Sequence, residues 1–162
     1  MLREGVVSDA GAAPGGASAT ALPWYAEGLR FQCTQCGNCC SGAPGYVWVT
    51  PAETQLIAEL LGLTVAEFLA RHTRRTGSGR RSLLEKPDGD CEFLVRSGGR
   101  TLCSIHSVRP VQCRTWPFWK SNLRSPETWA ATGQHCPGID KGPLHDAESI
   151  EAALRENGSR PL

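Results

Sequence analysis

The hydrophobic residues between positions 50 and 69 recur at helical spacing and predict two short helices. Four of those in the first helix fall on one face: Leu56, Ile57, Leu60 and Leu61. The segment opens with Thr50, a proline and then Glu53, which is a capping-box signature. The predicted helix ends at Gly62, because glycine is common at the C-terminal ends of helices. A second capping box begins at Thr64, so the pattern predicts a small helical hairpin.

Short β-branched and aromatic segments predict strands on either side of this hairpin. Residues 46–49 read YVWV, which favours a strand. Three further segments are separated by turns rich in Asp, Ser and Gly and predict an antiparallel meander: 82–86, 91–95 and 101–105. The second and third of these would bring Cys91 and Cys103 into the fold.

The remaining pattern sets the predicted organisation of the chain. Short helices are expected at 108–114, after Ser125, and over 146–156. Residues 8–21 are mostly Ala, Gly and Ser and have little to bury. We therefore predict three parts, namely a disordered tail over 1–23, a domain over 24–142, and a C-terminal helix and tail over 143–162. The fold class expected is α+β, with short helices and an antiparallel meander.

Charge and hydropathy exclude several classes of protein. The chain has 17 Lys and Arg against 16 Asp and Glu, a net charge of +1, so no bulk attraction to nucleic acid or membranes is expected. No apolar run approaches the ~20 residues of a membrane span, and the first residues lack the apolar core of a secretory signal. A cytoplasmic protein is predicted. The partner is expected to be a protein or a redox partner that the sequence does not name.

Cysteine is the residue type that carries the candidate chemistry. In a reducing compartment disulfides are rare, so eight cysteines favour metal ligation over four bridges. An exported chain would restore the disulfide alternative. Four candidate ligands, which are also the candidate cofactor-binding residues, lie within eight positions: Cys33, Cys36, Cys39 and Cys40. The other four candidate ligands are Cys91, Cys103, Cys113 and Cys136.

The spacing of the first three cysteines matches a bacterial ferredoxin-type [4Fe–4S] loop. The fourth ferredoxin position holds Ala43, and Cys136, which precedes a proline, is a candidate replacement. Side chains of neighbours such as Cys39 and Cys40 point to opposite sides of an extended chain. This doublet is compatible with two metal centres, two irons of one cluster, or one ligand beside a reactive thiol. Two four-thiolate zinc sites remain an alternative.

Several other residues have both a functional and a structural interpretation. His106 has the spacing from Cys103 to complete a zinc site, or is an ordinary polar-turn histidine. Arginines near the cysteines offset thiolate charge or lie in solvent: Arg100, Arg109 and Arg114. The aromatic residues of segment 116–119, with Trp48 and Trp129, either line a pocket or belong to the core, and core is expected. The arginine-rich run 71–81 is expected to be a solvated loop, because no aromatic signature of RNA binding accompanies it.

At these residues the chain resembles a known family. The motifs are C-x2-C-x2-C-C from Cys33, P-G-Y-V-W-V-T-P from Pro44, G-D-C-x-F-L from Gly89, C-S-I-x3-R-P-x2-C-R from Cys103, and W-P-F-W from Trp116. They resemble the YkgJ-type cysteine-cluster family, also called the CxxCxxCC zinc- or iron-chelating domain. The resemblance covers about residues 31–142 and places all eight cysteines on cysteine positions of the family.

The resemblance implies metal chelation by a small, irregular, metal-stabilised domain. We expect an iron–sulfur cluster, [4Fe–4S] by the spacing, in a redox or accessory role. The first alternative is a zinc-binding structural or metal-handling module without catalysis. Flagellin lysine N-methylases carry a similar cysteine motif, which implies a protein-modifying enzyme as a further alternative, with Cys40 as its reactive thiol. Whether the protein is an enzyme stays open at this point.

Overall fold

A computed structural model describes residues 22–98 and 100–158. The predicted disordered tail lies outside these residues, apart from its last two positions. The described strands are β1 (Leu29–Phe31), β2 (Trp48–Val49), β3 (Thr73–Arg75), β4 (Arg81–Leu83), β5 (Leu94–Ser97), β6 (Arg100–Cys103) and β7 (Ile139–His145). The described α-helices are α1 (Pro51–Leu60), α2 (Val65–His72), α3 (Val111–Arg114), α4 (Pro126–Gly133) and α5 (Ala147–Asn157).

Both predicted capping boxes are present and define the starts of α1 and α2. The Thr50 hydroxyl accepts the Glu53 N–H, and the Glu53 carboxylate accepts the Thr50 N–H at 2.7 Å. Thr64 and Glu67 repeat the arrangement at α2. These reciprocal bonds satisfy N–H groups that the first turn of a helix leaves without partners. The hairpin predicted from hydrophobic spacing is therefore confirmed.

The strands form three small antiparallel sheets, with orders β1–β7, β2–β4–β3 and β5–β6. The predicted meander is present, because a bridge between Glu85 and Cys91 joins its first segment to its second, and β5 pairs with β6. Its first segment has a second role that the sequence did not indicate, since β4 is also the central strand between β2 and β3. The predicted α+β class is confirmed.

Apolar side chains collect in two separate clusters. Cluster 1 joins β1, β7, α4 and α5: Tyr25, Leu29, Phe31, Phe118, Leu123, Trp129, Cys136, Ile139 and Ile150. Cluster 2 lies under the helical hairpin: Ile57, Ala58, Phe68, Leu83, Phe93 and Ile105. The apolar side predicted for the last helix is confirmed, because Ile150 is fully buried and Ala153 and Leu154 pack against cluster 1.

The division of the chain at residue 142 stays a prediction. Strand β7 runs across that position and pairs with β1 in the register Leu29–His145 and Phe31–Ile139. Among the described residues, no helix has the length and apolar character that crossing a membrane requires.

Candidate metal centre

Helix α3 presents Cys113 and is fixed at its start by one distant side chain and by two distant backbone groups. Val111, its first residue, donates its N–H to the buried Glu53 carboxylate at 2.7 Å. The Gln112 amide oxygen accepts the Trp48 N–H at 3.1 Å, and its NH2 donates to the Tyr46 carbonyl at 2.8 Å. A four-residue helix has little intrinsic stability, so these bonds to α1 and β2 determine where Cys113 lies.

The β5–β6 hairpin and the segment before it carry Cys91 and Cys103. Cys103 ends β6 opposite Leu94, and Cys91 lies in the bridge to Glu85. The Cys91 N–H donates to the Cys40 carbonyl at 2.7 Å. This bond fixes the cysteine-rich loop against the hairpin, so cysteines 51 positions apart in sequence become neighbours.

The cysteine-rich loop approaches the hairpin closely at Gly37. This residue has φ +79°, and a Cβ there would lie 2.4 Å from Cγ2 of Thr101 on β6. A larger residue is excluded both by the backbone conformation and by the contact. A single 3-10 turn follows over Asn38–Cys40, and the Asn38 side chain donates to the His135 carbonyl at 2.7 Å. The middle of the cysteine run is therefore held by β6 and by the segment that contains His135.

Six of the eight predicted ligands line one cavity of about 410 Å³: Cys33, Cys39, Cys40, Cys91, Cys103 and Cys113. The rest of the wall is largely apolar, with Leu83, Leu94, Ile105 and Trp116 among its residues. Cys36 is not on this wall, and Cys136 is buried in cluster 1. All eight cysteines are unpaired, which agrees with the prediction of thiols rather than disulfides.

The adjacent thiols of Cys39 and Cys40 form a hydrogen bond in which either can donate, and their Sγ atoms are 3.8 Å apart. The hydrogen bond from Cys40 lowers the pKa of Cys39 to about 7, whereas the same contact and burial raise the pKa of Cys40. The sequence singled out Cys40 as a reactive thiol. The contact instead makes Cys39 the readier thiolate of the two.

The other cavity thiols lie within electrostatic reach of one another. Burial is the main cause that raises the pKa of Cys91, Cys103 and Cys113, and neighbouring thiolates raise each further. The Arg109 guanidinium acts in the opposite direction on Cys103 and Cys113, and also on Cys39. Closely packed buried thiols with one adjacent cation are more stable as metal-bound thiolates than as free thiolates.

The donor set fits a thiolate-bound metal. Five thiols interact electrostatically with one another, one more than a single tetrahedral zinc takes: Cys39, Cys40, Cys91, Cys103 and Cys113. Within residues 22–98 and 100–158, no three Cys, His, Asp or Glu side chains already converge as a set that could hold one ion. A metal or cluster would therefore draw these thiols inward from the cavity wall.

The other candidates have mixed outcomes. His106 lines the cavity, but its Nε2 contacts the Arg109 guanidinium. Arg114 forms an ion pair with Glu156 and also lines the cavity. Arg100 is exposed. The aromatic segment is core, as expected, at the buried Phe118, although its first residue lies on the cavity wall.

The arginine-rich run is not the solvated loop that the sequence suggested. It contains the end of α2 and strand β3, and Arg74 forms an ion pair with Glu85 at 3.1 Å. Arg74 and Arg80 lie over the rings of Tyr46 and Trp48, at 5.1 and 3.8 Å from the ring centres. The sequence missed these contacts because the aromatic residues come from β2 and the segment before it, on the other side of the hairpin.

Comparison with known proteins agrees with this geometry. The family model of the CxxCxxCC domain, described as a "putative zinc- or iron-chelating domain", matches residues 32–137. An uncharacterised protein of Methanocaldococcus jannaschii is 34% identical over 94 residues, which are 58% of this chain and 48% of that protein. The chain thus spans about half the length of this curated relative. No solved structure matched the chain. Since the family match includes all eight cysteines and well over half of the residues, the protein belongs to the CxxCxxCC family.

Proposed function

We propose that the cavity holds an iron–sulfur cluster and that the protein works in electron transfer or as an accessory to a redox enzyme. The observation that carries this proposal is the single cavity of about 410 Å³ lined by six thiols. A closed four-thiolate zinc site is compact, with sulfurs about 2.3 Å from the ion. An iron–sulfur cluster adds several iron and sulfide atoms inside its cysteine ligands, so it makes use of a cavity of this size.

The residues of the chain have separate tasks at such a centre. The cavity thiols would ligate the cluster, which supplies one-electron chemistry when bound. The Arg109 guanidinium offsets part of the thiolate charge. Apolar wall residues such as Leu83 and Ile105 keep water from the sulfurs, and solvent access is one determinant of cluster potential. The bonds from Glu53 and Gln112 hold Cys113 in place.

The exposure of two cavity thiols supports exchange of electrons with a protein partner. Cys33 and Cys39 are exposed while Cys113 lies deeper, so one edge of a bound cluster would be close to the surface. The proposed partner is a redox protein or the enzyme that this protein serves. Eight unpaired thiols support a cytoplasmic, reducing location.

A zinc-binding structural or metal-handling module is the second candidate, and one observation favours it. The turn that contains Cys136 packs on the start of the cysteine-rich loop, because the Gln32 N–H donates to the Gly138 carbonyl at 3.1 Å. Cys33 and Cys36 lie next to this contact in sequence. Three thiols would then lie near Cys136 and five around Cys113, and two closed four-ligand zinc sites would form if one of the five joined the smaller group.

Metal analysis of protein purified without oxygen separates the two candidates. Iron and acid-labile sulfide at a few atoms per chain, with broad visible absorbance that bleaches on reduction, is the result expected for the cluster. Zinc at about two per chain, as two closed four-thiolate sites would hold, without colour or sulfide, would replace the cluster proposal with the zinc module. Aerobic and anaerobic preparations are compared, because an iron–sulfur site that has lost its cluster can take up zinc.

A further inference from the structure

One buried polar atom of the cavity-lining residues has no hydrogen-bond partner within residues 22–98 and 100–158, and it belongs to Trp116. The indole Nε1 of this residue is buried and makes no hydrogen bond among the described residues. Trp116 lines the same cavity as the six thiols. Leaving a buried N–H without an acceptor destabilises a protein, so a stable fold normally supplies one.

Three other indoles, at partly or fully buried residues, have an acceptor within the fold. Trp24 donates to the Leu123 carbonyl at 2.8 Å, and Trp119 donates to the Gln112 carbonyl at 2.9 Å. Trp129 donates to the Asp140 carboxylate at 2.8 Å. Trp116 differs from these three in facing the cavity whose donor set fits a metal. The missing acceptor is therefore to be sought among the contents of that cavity.

A metal bound to the cavity thiols would supply a sulfur atom as the acceptor. Trp116 comes three residues after Cys113, the most deeply placed thiol of the cavity. A metal-bound thiolate or a cluster sulfide carries negative charge and accepts hydrogen bonds, whereas indole N–H is a donor only. Hydrogen bonds to the sulfurs are one of the means by which a protein sets the potential of a cluster.

We propose that the Trp116 indole N–H donates a hydrogen bond to a metal-bound sulfur in the cavity and thereby raises the reduction potential of the centre. The bond stabilises the reduced state more, because that state carries the larger negative charge on its sulfurs. The inference rests on the proposed function for its redox consequence. The donation itself requires only a thiolate-bound metal.

The test compares Trp116→Phe with Trp129→Phe, which also removes an indole N–H but in cluster 1. Both variants and the wild type are purified without oxygen, and their reduction potentials are measured by redox titration. Trp116→Phe is expected to change the ratio of reduced to oxidised centre about tenfold toward the oxidised form, equivalent to about 59 mV for one electron. Trp129→Phe should leave the ratio unchanged. Equal potentials in Trp116→Phe and the wild type would overturn the inference while the cluster proposal stands.

A second measurement keeps the inference testable if Trp116→Phe fails to fold or the metal is zinc. In wild-type protein with 15N-labelled indoles, the Trp116 N–H signal is expected to shift when metal is removed by a chelator and to exchange slowly with solvent when metal is bound. The Trp129 signal serves as the internal control. A Trp116 signal that is the same with and without metal would overturn the inference. Absence of iron and sulfide would overturn the cluster proposal and the effect on the reduction potential, whereas donation to a zinc-bound sulfur would still be decided by this signal.

Discussion

Arg109 is a cation of the cavity wall that offsets a small part of the effect of burial on the neighbouring thiols. Its guanidinium lowers the pKa of Cys39, Cys103 and Cys113, against burial that raises each. The residue lies on the cavity wall, just before the proline that opens α3. A fixed cation at this point favours thiolates, and thiolates are the form that binds metal.

Replacing Arg109 should therefore weaken metal binding without removing a ligand. Arg109→Gln is expected to reduce metal affinity about tenfold, the effect of losing a charge-assisted interaction. Competition with a chromophoric chelator measures the change. Arg100→Gln is the control, because Arg100 is exposed and does not line the cavity. Equal losses in both variants would show that the effect is general to surface charge.

Substitution of single cysteines tests the ligand assignment. Cys113→Ser should lower metal content and the thermal midpoint together. Loss of a ligand should reduce metal affinity by more than the roughly 10- to 100-fold that follows loss of a group hydrogen-bonded to a ligand. Cys36→Ser should lower both as well, but less, because Cys36 does not lie on the cavity wall. Metal content and melting are measured on the same samples. Full metal occupancy in both variants would refute the assignment.

At the scale of elements, α1 and α3 are joined through a single carboxylate. Glu53 completes the capping box of α1 and also accepts the Val111 N–H that begins α3. Glu67 completes the same capping box on α2, where it is exposed. Both glutamates cap their own helix, and Glu53 in addition connects α1 to α3.

Substitutions at Glu53 and Glu67 form a matched pair that measures the contribution of the bond between Glu53 and Val111. Glu53→Ala is expected to reduce the free energy of unfolding by roughly 2–3 kcal/mol, because it removes a cap and leaves a buried N–H without an acceptor. It should also reduce metal affinity, since α3 carries Cys113. Glu67→Ala should have a much smaller effect on stability and none on metal binding. Denaturant unfolding and chelator competition check both, and equal behaviour of the pair would contradict this account.

Elements whose signals are local could be predicted from the sequence. The starts of α1, α2 and α4 follow from Thr50, Thr64 and Ser125, each within three residues of its partner. The pairing of β1 with β7 could not be predicted, because its members are about 110 positions apart and β7 contains a glycine and a proline. Strand pairing between distant segments depends on the packing of the whole fold.

At the scale of the whole molecule, the cavity lies between the two apolar clusters. Phe31 of cluster 1 and Leu83 and Ile105 of cluster 2 all line it. Cys91 and Cys103 pack against cluster 2, whereas Cys136 belongs to cluster 1. Cys33 lines the cavity two residues after Phe31 of cluster 1, so a metal bound to Cys33 as well as to Cys91 and Cys103 would link two small cores, which accounts for the expected coupling of metal binding to folding.

Cluster 1 brings the N-terminal described segment and α5 together through Tyr25. Its hydroxyl donates to the Glu151 carboxylate at 2.6 Å, and burial with this contact raises the pKa of Tyr25 from 10.0 to about 12. A raised pKa means that the phenol stabilises the fold below pH 10 and that this contribution is lost as pH rises through 12.

The variant Tyr25→Phe measures that contribution. It is expected to cost about 1 kcal/mol of unfolding free energy at neutral pH. The difference from the wild type should shrink between pH 10 and 12 as the wild-type phenol ionises. Urea unfolding of both proteins over this range gives the difference directly. A difference that is constant up to pH 12 would show that the Glu151 contact does not control the stability.

The candidate ligands could be named from the sequence, but the way in which the fold groups them could not. Two-residue gaps among the first cysteines signal metal binding locally. That Cys113 joins Cys39 and Cys91 while Cys136 lies in cluster 1 depends on the Glu53 bond, the Cys40 carbonyl and the Gly37 contact. Each of these links residues more than 50 positions apart, and none has a signature in spacing.

The central claim is that thiols of this cavity hold the metal of the protein. X-ray absorption at the metal edge, on protein purified without oxygen, tests it most directly because it counts the ligand atoms around the metal. The account predicts a shell made only of sulfur, at about 2.3 Å, with a second iron shell if the centre is a cluster. The sulfur shell should be lost in the Cys113→Ser variant. A first shell of nitrogen and oxygen in the wild-type protein would contradict the account.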